Sequence, residues 1–153
     1  MEQKNIRISR KILKKYNKEL SELRDFVSKA KAILKEKLIC VVLIGSRARL
    51  DFNIGSDIDL ILVGNWFTDI LFNRIDEIRK KIDIPLLPID YFLYCPDEIL
   101  KFIDQGNPMI LDGFMEGMVL LNNEYYQKIN GIIKTKISEG YILKNKDIWQ
   151  ILN

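Results

Sequence analysis

Histidine is absent from the 153 residues of this sequence. Its absence excludes Ser-His-Asp and Cys-His nucleophilic catalysis, histidine acid–base chemistry and most zinc sites. Cysteine is scarce: Cys40 and Cys95 form no C-x-x-C motif, and their apolar neighbours indicate two reduced core thiols. Any catalysis must therefore rest on carboxylates, lysines, tyrosines, hydroxyls or metal ions that are held by oxygen atoms.

Long apolar runs are missing as well. No stretch approaches the length that a bilayer span needs, and the polar start MEQKNIRISRK lacks the apolar region of a signal peptide. We therefore expect a cytoplasmic protein that makes no membrane contact. The length predicts a single domain over residues 1–153, which is large enough to bury its own hydrophobic core.

Charge is distributed unevenly along the chain. Residues 1–37 contain 12 Lys and Arg against 5 Asp and Glu, whereas residues 38–153 contain 12 basic and 16 acidic residues. A basic segment joined to an acidic body suits an anionic partner such as nucleic acid, or it is the solvated face of a helix. The composition leaves both alternatives open.

The basic segment is predicted to form one long helix from Ser9 to Glu36, with Ser9 as its N-cap. Apolar residues recur along it at spacings of three and four, which places them on a single stripe. The stripe consists of Leu13, Tyr16, Leu20, Leu23, Val27, Ala30 and Leu34. It either packs against the sheet of its own domain or forms a helix–helix seam with a second copy or a helical protein partner.

Strand and helix patterns alternate through the rest of the chain. The apolar, β-branched run Leu38–Ile44 is typical of a central strand that is buried on both faces. Further strands are predicted at 57–63, 89–94 and 118–121, and helices at 46–49, 69–82, 96–105, 108–117, 124–137 and 146–152. Ser46 is the predicted N-cap of the first of these helices, and Thr68 or Asp69 that of the second.

This element order predicts an α/β (α+β) domain with one central sheet flanked by helices. We divide it into a basic N-terminal helix over residues 1–37, a core over residues 38–121, and a helical C-terminal extension over residues 122–153. No internal repeat or low-complexity segment interrupts this order.

Three aspartates stand in the predicted strands. Asp57 and Asp59 are two residues apart, so their side chains point to the same face, about 6.6 Å apart along the strand. Two carboxylates at that separation repel each other by about 2.5 kcal/mol at an effective dielectric constant of roughly 20. A divalent cation offsets this repulsion, and oxygen ligands suit Mg²⁺ or Mn²⁺. Asp90, in the strand 89–94, is the third candidate ligand, and three carboxylates can hold two metal ions.

A phosphate-binding turn is predicted directly after the first strand. Gly45 lets a phosphate approach the backbone closely, and the N–H groups of Ser46 and Arg47 stand at a helix N-terminus, which favours anions. The Ser46 hydroxyl adds a donor. Arg47 and Arg49 can reach phosphate oxygens that the backbone cannot.

The order and spacing of these residues resemble the signature of the minimal nucleotidyltransferases, small members of the polymerase-β-like nucleotidyltransferase superfamily. The matching segments are Ile44-Gly45-Ser46, Asp57-Ile58-Asp59-Leu60 and Ile89-Asp90-Tyr91. The family's common Gly-Ser-Arg-Ala-Arg and Ser-Asp-Ile-Asp-Leu sequences are present, and Glu116-Gly117 is similar to its later Glu-Gly element. The resemblance covers residues 38–121.

The resemblance implies a mixed sheet flanked by helices and the Mg²⁺-dependent transfer of a nucleoside monophosphate to a hydroxyl group. The donor is a nucleoside triphosphate, with ATP expected. Asp57 and Asp59 would bind both metal ions. Asp90 would bind the catalytic metal and help to deprotonate the acceptor.

The resemblance also implies nucleotide contacts. Gly45 and Ser46 would hold the triphosphate, and Arg47 and Arg49 match the motif as further contacts. Leu50 departs from the family, which often has a glycine at this position, so the conformation of this loop is an open point.

The acceptor in such proteins is often a partner protein, typically a helical toxin that forms a toxin–antitoxin pair with the transferase. One alternative is a non-catalytic antitoxin that acts only by binding, which the apolar stripe favours and the retained carboxylates disfavour. Another is nucleotide addition to RNA through the basic helix. We favour this alternative least because no aromatic stacking platform accompanies the basic residues.

Overall fold

A computed structural model describes residues 10–50, 56–66 and 71–152 of the chain. Its helices are α1 (Arg10–Leu34), α2 (Ser46–Arg49), α3 (Leu71–Arg79), α4 (Pro96–Asp104), α5 (Pro108–Glu116) and α6 (Asn123–Ser138). Its strands are β1 (Leu38–Ile44), β2 (Ile58–Gly64), β3 (Ile89–Tyr94), β4 (Met118–Leu121), β5 (Ile142–Asn145) and β6 (Ile148–Ile151). Within the described part of the chain, no helix is long and apolar enough to cross a membrane.

The central sheet has four strands in the order β3-β2-β1-β4. β1 runs antiparallel to both β2 and β4, whereas β2 and β3 are parallel and are connected through α3. The predicted mixed sheet flanked by helices is therefore confirmed. Its register places Asp59 opposite Ile44 on one side and opposite Asp90 on the other.

Two hydrophobic layers cover the sheet because β1 and β2 are apolar on both faces. One face, which includes Leu43 and Leu60, packs against α1 and α3. The opposite face, which includes Ile44 and Ile61, packs against α4, α5 and α6. Alternate residues of one strand thus face different layers of helices. Asp59, the polar residue in β2, therefore faces only one of the two layers.

The predicted stripe on α1 packs against the sheet of its own domain. Leu23, Val27, Ala30 and Leu34 are buried in the same layer as the sheet, whereas Leu13 remains 45% exposed. Most residues of the stripe are thus buried by contacts within one chain. This favours packing against the chain's own sheet over a seam with another helix. Ser9, the predicted N-cap, lies outside the described residues.

The start of α2 differs from the prediction. Gly45, and not Ser46, occupies the N-cap position, so Ser46 is the first helical residue. Gly45 has a φ of 71°, a conformation that glycine adopts readily and that residues with a Cβ avoid. The predicted caps of the next helix, Thr68 and Asp69, lie outside the described residues.

The predicted helix over 146–152 is wrong, and the C-terminal extension is helical only in α6. The chain forms an antiparallel hairpin of β5 and β6, with Asn145 opposite Ile148. Lys146 has a φ of 55°, as tight hairpin turns require. Isoleucine and tryptophan residues near the turn favour strands, and four residues on each side are enough for this pairing.

Candidate active site

The three predicted acids come together at the edge of the sheet where β2 and β3 begin. Asp59 lies in β2 directly opposite Asp90 in β3. Asp57 precedes β2, which starts one residue later than predicted. Asp57 and Asp90 are exposed, whereas Asp59 is partly buried.

The acids form one electrostatic group. Burial raises the pKa of the Asp59 carboxyl, the charges of Asp90 and Asp57 raise it further, and Arg49 opposes the shift. Asp59 therefore carries a negative charge that its surroundings disfavour. A cation placed among these carboxylates would relieve that penalty.

The chemistry of this group fits Mg²⁺ or Mn²⁺, because the three side chains offer only oxygen ligands. No group of three acidic, cysteine or histidine side chains is already arranged to hold a metal ion within the ranges that the structure describes. The carboxylates therefore have the right donor atoms without forming a closed site. Metal binding by Asp57, Asp59 and Asp90 stays a prediction.

Gly45 brings the backbone against the carboxylate of Asp59. A Cβ atom built on this residue would lie 2.8 Å from Asp59 Oδ2, so no side chain fits there without displacing the acid. Its carbonyl oxygen accepts hydrogen bonds from the N–H groups of Ala48, at 3.1 Å, and Arg49, at 3.2 Å. Gly45 thus both starts α2 and leaves room for Asp59.

Arg47 turns away from the acids. It is 3% exposed, forms a buried ion pair with Glu19 of α1, and donates a hydrogen bond of 2.9 Å to the carbonyl of Ser56. The structure therefore gives no support to the predicted phosphate contact of Arg47. This side chain instead fastens α2 to α1 and to the segment that leads into Asp57.

A cleft of about 200 Å³ opens between the sheet and α5. Its lining residues are Ile44, Gly45, Arg49, Asp59, Phe92, Met109, Asp112, Gly113, Glu116 and Gly117. Three predicted site residues, Gly45, Arg49 and Asp59, are among them. Arg49 Nη1 lies 3.8 Å from Glu116 Oε2 across the cleft.

The far wall of the cleft contains acids whose role the sequence analysis missed. Asp112 and Glu116 stand one turn apart on α5, and Lys144 of β5 reaches both of them. The hydrogen bond from Lys144 to Asp112 raises the pKa of the lysine. The sequence offers two signals here, the i,i+4 spacing of the two acids and the Glu116-Gly117 element, and neither identifies a partner 28 residues or more away.

A sequence model of the nucleotidyltransferase domain matches residues 11–121. The chain belongs to this family. The match covers α1 through β4 and ends before α6 and the C-terminal hairpin.

A solved structure shares the fold of this chain. A candidate nucleotidyltransferase from Sulfolobus solfataricus aligns with a TM-score of 0.56 at 18% identity, over 78% of this chain and 95% of that chain. A toxin–antitoxin crystallised with AMP-PNP aligns with a TM-score of 0.42 at 17% identity, over 82% of this chain and 86% of that chain. No curated protein sequence matches this chain significantly.

Proposed function

We propose that this nucleotidyltransferase-family chain transfers a nucleoside monophosphate, with ATP as the expected donor, to a hydroxyl group of an acceptor. The observation that carries the proposal is the position of Asp59, which pairs in register with Asp90 and faces the Cβ-free backbone of Gly45. Gly45 of the predicted phosphate-binding turn and Asp59 of the predicted metal ligands both line one cleft, which supports the proposal.

In the proposed reaction, the acceptor oxygen forms a bond to the α-phosphorus, and the bond to the departing pyrophosphate breaks. Asp57, Asp59 and Asp90 would hold Mg²⁺ or Mn²⁺, which when bound offsets the charge of the phosphates. Asp90 is exposed and can accept the proton of the attacking hydroxyl before it passes to water.

The triphosphate would lie along the start of α2. The backbone N–H groups of Ser46 and Arg47 can donate to its oxygens, and the Ser46 hydroxyl adds a third donor. Arg49 lines the cleft and supplies a positive charge on the same side. We leave the side chain of Arg47 out of this assignment because its guanidinium is engaged with Glu19.

A hydroxyl on a partner protein is our first candidate acceptor. The motif resemblance favours it, because the acceptor in such proteins is often the toxin of a toxin–antitoxin pair. The partner would present a flexible serine, threonine or tyrosine to the cleft, since these residues supply hydroxyl groups. The alternative is that such a partner is bound but receives no nucleotide. Variants of the catalytic residues distinguish these two cases.

RNA is a second candidate acceptor, and a specific feature of α1 favours it. The first turns of this helix carry an exposed basic stripe that consists of Arg10, Lys11, Lys14, Lys15 and Lys18. Helical spacing places Arg10, Lys11, Lys14 and Lys18 on the side opposite the buried residues of α1, and Lys15 on the flank of the buried side. The ion pair between Glu19 and Arg47 fixes the middle of α1 beside the candidate site, and each of these basic residues lies within about 14 Å of Glu19 along the helix, where they can contact phosphates of a bound strand.

One labelling experiment tests the reaction and separates the acceptors. The protein is incubated with Mg²⁺ and each α-labelled nucleoside triphosphate in lysate, and the products are treated with protease or with ribonuclease. We expect label on a protease-sensitive product for a protein acceptor and on a ribonuclease-sensitive product for RNA.

Two variants control this experiment. Asp57→Ala combined with Asp59→Ala should abolish the label, whereas Asp83→Ala, which removes an exposed acid from a loop, should not. Equal labelling by the double variant contradicts the proposed site. A partner that co-purifies equally with both variants but never gains mass supports binding without transfer.

A further inference from the structure

We infer that the C-terminal hairpin completes the nucleotide cleft, with Lys144 as a positioning residue that offsets the acids of α5 and so admits a triphosphate. The inference rests on the proposed function. It assigns a role to an element that lies outside the matched family domain, which ends at residue 121.

Two side chains fix the hairpin to the cleft wall through a single oxygen atom. Lys144 Nζ and Trp149 Nε1 each lie 2.8 Å from Asp112 Oδ1. The ammonium group of Lys144 also lies 5.2 Å from the centre of the Trp149 ring, within the range of a cation–π contact. The two strands of the hairpin thus hold one cation against one acid of the cleft.

The same lysine reaches the second acid of the wall. Lys144 Nζ lies 3.6 Å from Glu116 Oε1, and the other oxygen of Glu116 lies 3.8 Å from Arg49 Nη1. Glu116 is therefore shared between a cation of the hairpin and the cation that we assign to the triphosphate. Without Lys144, the charge of Glu116 would act on Arg49 alone.

The balance of charge in the cleft makes this sharing important. Its lining includes three carboxylates, those of Asp59, Asp112 and Glu116, and one cation, Arg49. A triphosphate is strongly anionic, so each carboxylate without a compensating cation opposes its entry. Bound metal ions would offset the charges of Asp59 and its neighbouring aspartates. Lys144 offsets the charges of Asp112 and Glu116 on α5.

The test is a set of substitutions read out by calorimetric binding of ATP with Mg²⁺ and by transfer kinetics. Lys144→Met should raise the dissociation constant and KM for ATP on the order of fivefold or more, with little change in kcat. Lys144→Arg should restore binding. Lys146→Met removes the same charge from the turn of the same hairpin and should bind ATP like the wild type.

A double variant separates charge from mere attachment of the hairpin. Asp112→Asn combined with Lys144→Met restores the net charge of the wild-type cleft while it removes the contact. If Lys144 acts through charge, this variant binds ATP nearly as well as the wild type. If Lys144 only anchors the hairpin, the double variant binds as weakly as Lys144→Met, and the inference is overturned.

Failure of the inference and failure of the proposed function give different results. ATP binding that weakens in Lys144→Met, without transfer to any acceptor, supports the inference and contradicts the reaction. Transfer with unchanged ATP affinity in Lys144→Met overturns the inference alone. No ATP binding by the wild type overturns both.

Discussion

Glu19 in the middle of α1 and Arg47 in α2 form a buried ion pair that attaches the N-terminal helix to the candidate site. Both side chains are almost fully removed from solvent, at 8% and 4% exposure. Arg47 also donates a hydrogen bond to the carbonyl of Ser56. Its contact with α1 therefore helps to position the segment before Asp57. The N-terminal helix therefore stabilises the arrangement of the candidate site.

Removing one partner of this pair should destabilise the protein strongly. Glu19→Ala leaves the Arg47 guanidinium buried without its carboxylate, which costs about 3 kcal/mol or more. Urea denaturation measures the change, with Asp25→Ala as the control because Asp25 is an exposed acid of the same helix. The double variant Glu19→Leu with Arg47→Met should recover much of the loss. Equal stabilities of Glu19→Ala and Asp25→Ala would contradict a structural role for the pair.

Gly45→Ala should remove activity at a moderate cost in stability. The φ of 71° disfavours alanine, and the added Cβ would lie 2.8 Å from Asp59 Oδ2. We expect a loss of about 1–3 kcal/mol in the free energy of unfolding. Nucleotide transfer should fall by about 100-fold, since the displaced carboxylate no longer meets the reacting phosphate in the correct geometry.

The matched control for this substitution is Gly131→Ala. Gly131 lies in α6, and a Cβ added there has no atom within 4 Å. Alanine favours the helix over glycine, so this variant should gain about 0.5–1 kcal/mol and keep full activity. If both glycine variants lose activity to the same degree, the close contact with Asp59 is not the cause.

Local sequence patterns were sufficient for much of the fold. β1, β3 and β4 begin and end where the apolar runs predict, with Gly45 after β1, Pro88 before β3, and Gly117 and Asn122 on either side of β4. The hairpin was missed because a short run of isoleucine and tryptophan residues suits a strand or a helix. Contacts with a distant element favour the strand, since Lys144 and Trp149 of the hairpin both donate hydrogen bonds to Asp112 of α5.

The candidate site shows the same division. Its acids were predicted from their spacing, but Arg47 and Arg49 were treated alike. Two residues in a helix differ by about 200° in direction, so once α2 forms they face opposite sides. One meets Glu19 and the other lines the cleft, and only the position of α1 decides which. Spacing along the chain cannot supply that information.

Leu50 provides a test of the one motif position that departs from the family. It ends α2 with a φ of 61° and a ψ of 27°, the left-handed conformation that a glycine adopts without strain. Leu50→Gly should therefore be more stable than Leu50→Ala by about 1 kcal/mol, because alanine keeps the strain and loses the same side chain. Thermal and urea denaturation of the two variants measure the difference. A less stable glycine variant would contradict the strain at this position.

The raised pKa of Asp59 predicts a dependence of stability on pH. Burial is the largest cause, followed by the charges of Asp90 and Asp57. The folded state holds this proton more tightly than the unfolded chain does, so the contribution of Asp59 to stability is complete below its ordinary pKa of 3.8. That contribution is lost as pH rises through the raised pKa.

Asp59→Asn should therefore raise the free energy of unfolding relative to the wild type at neutral pH, and the difference should disappear in acid. Denaturation over a series of pH values without divalent cations measures this difference, with Asp83→Asn as the exposed control. Added Mg²⁺ should reduce the advantage of Asp59→Asn, because a cation bound among the carboxylates stabilises only the ionised wild type. Parallel pH profiles for the wild type and Asp59→Asn would mean that burial and the charges of Asp90 and Asp57 do not raise the pKa of Asp59.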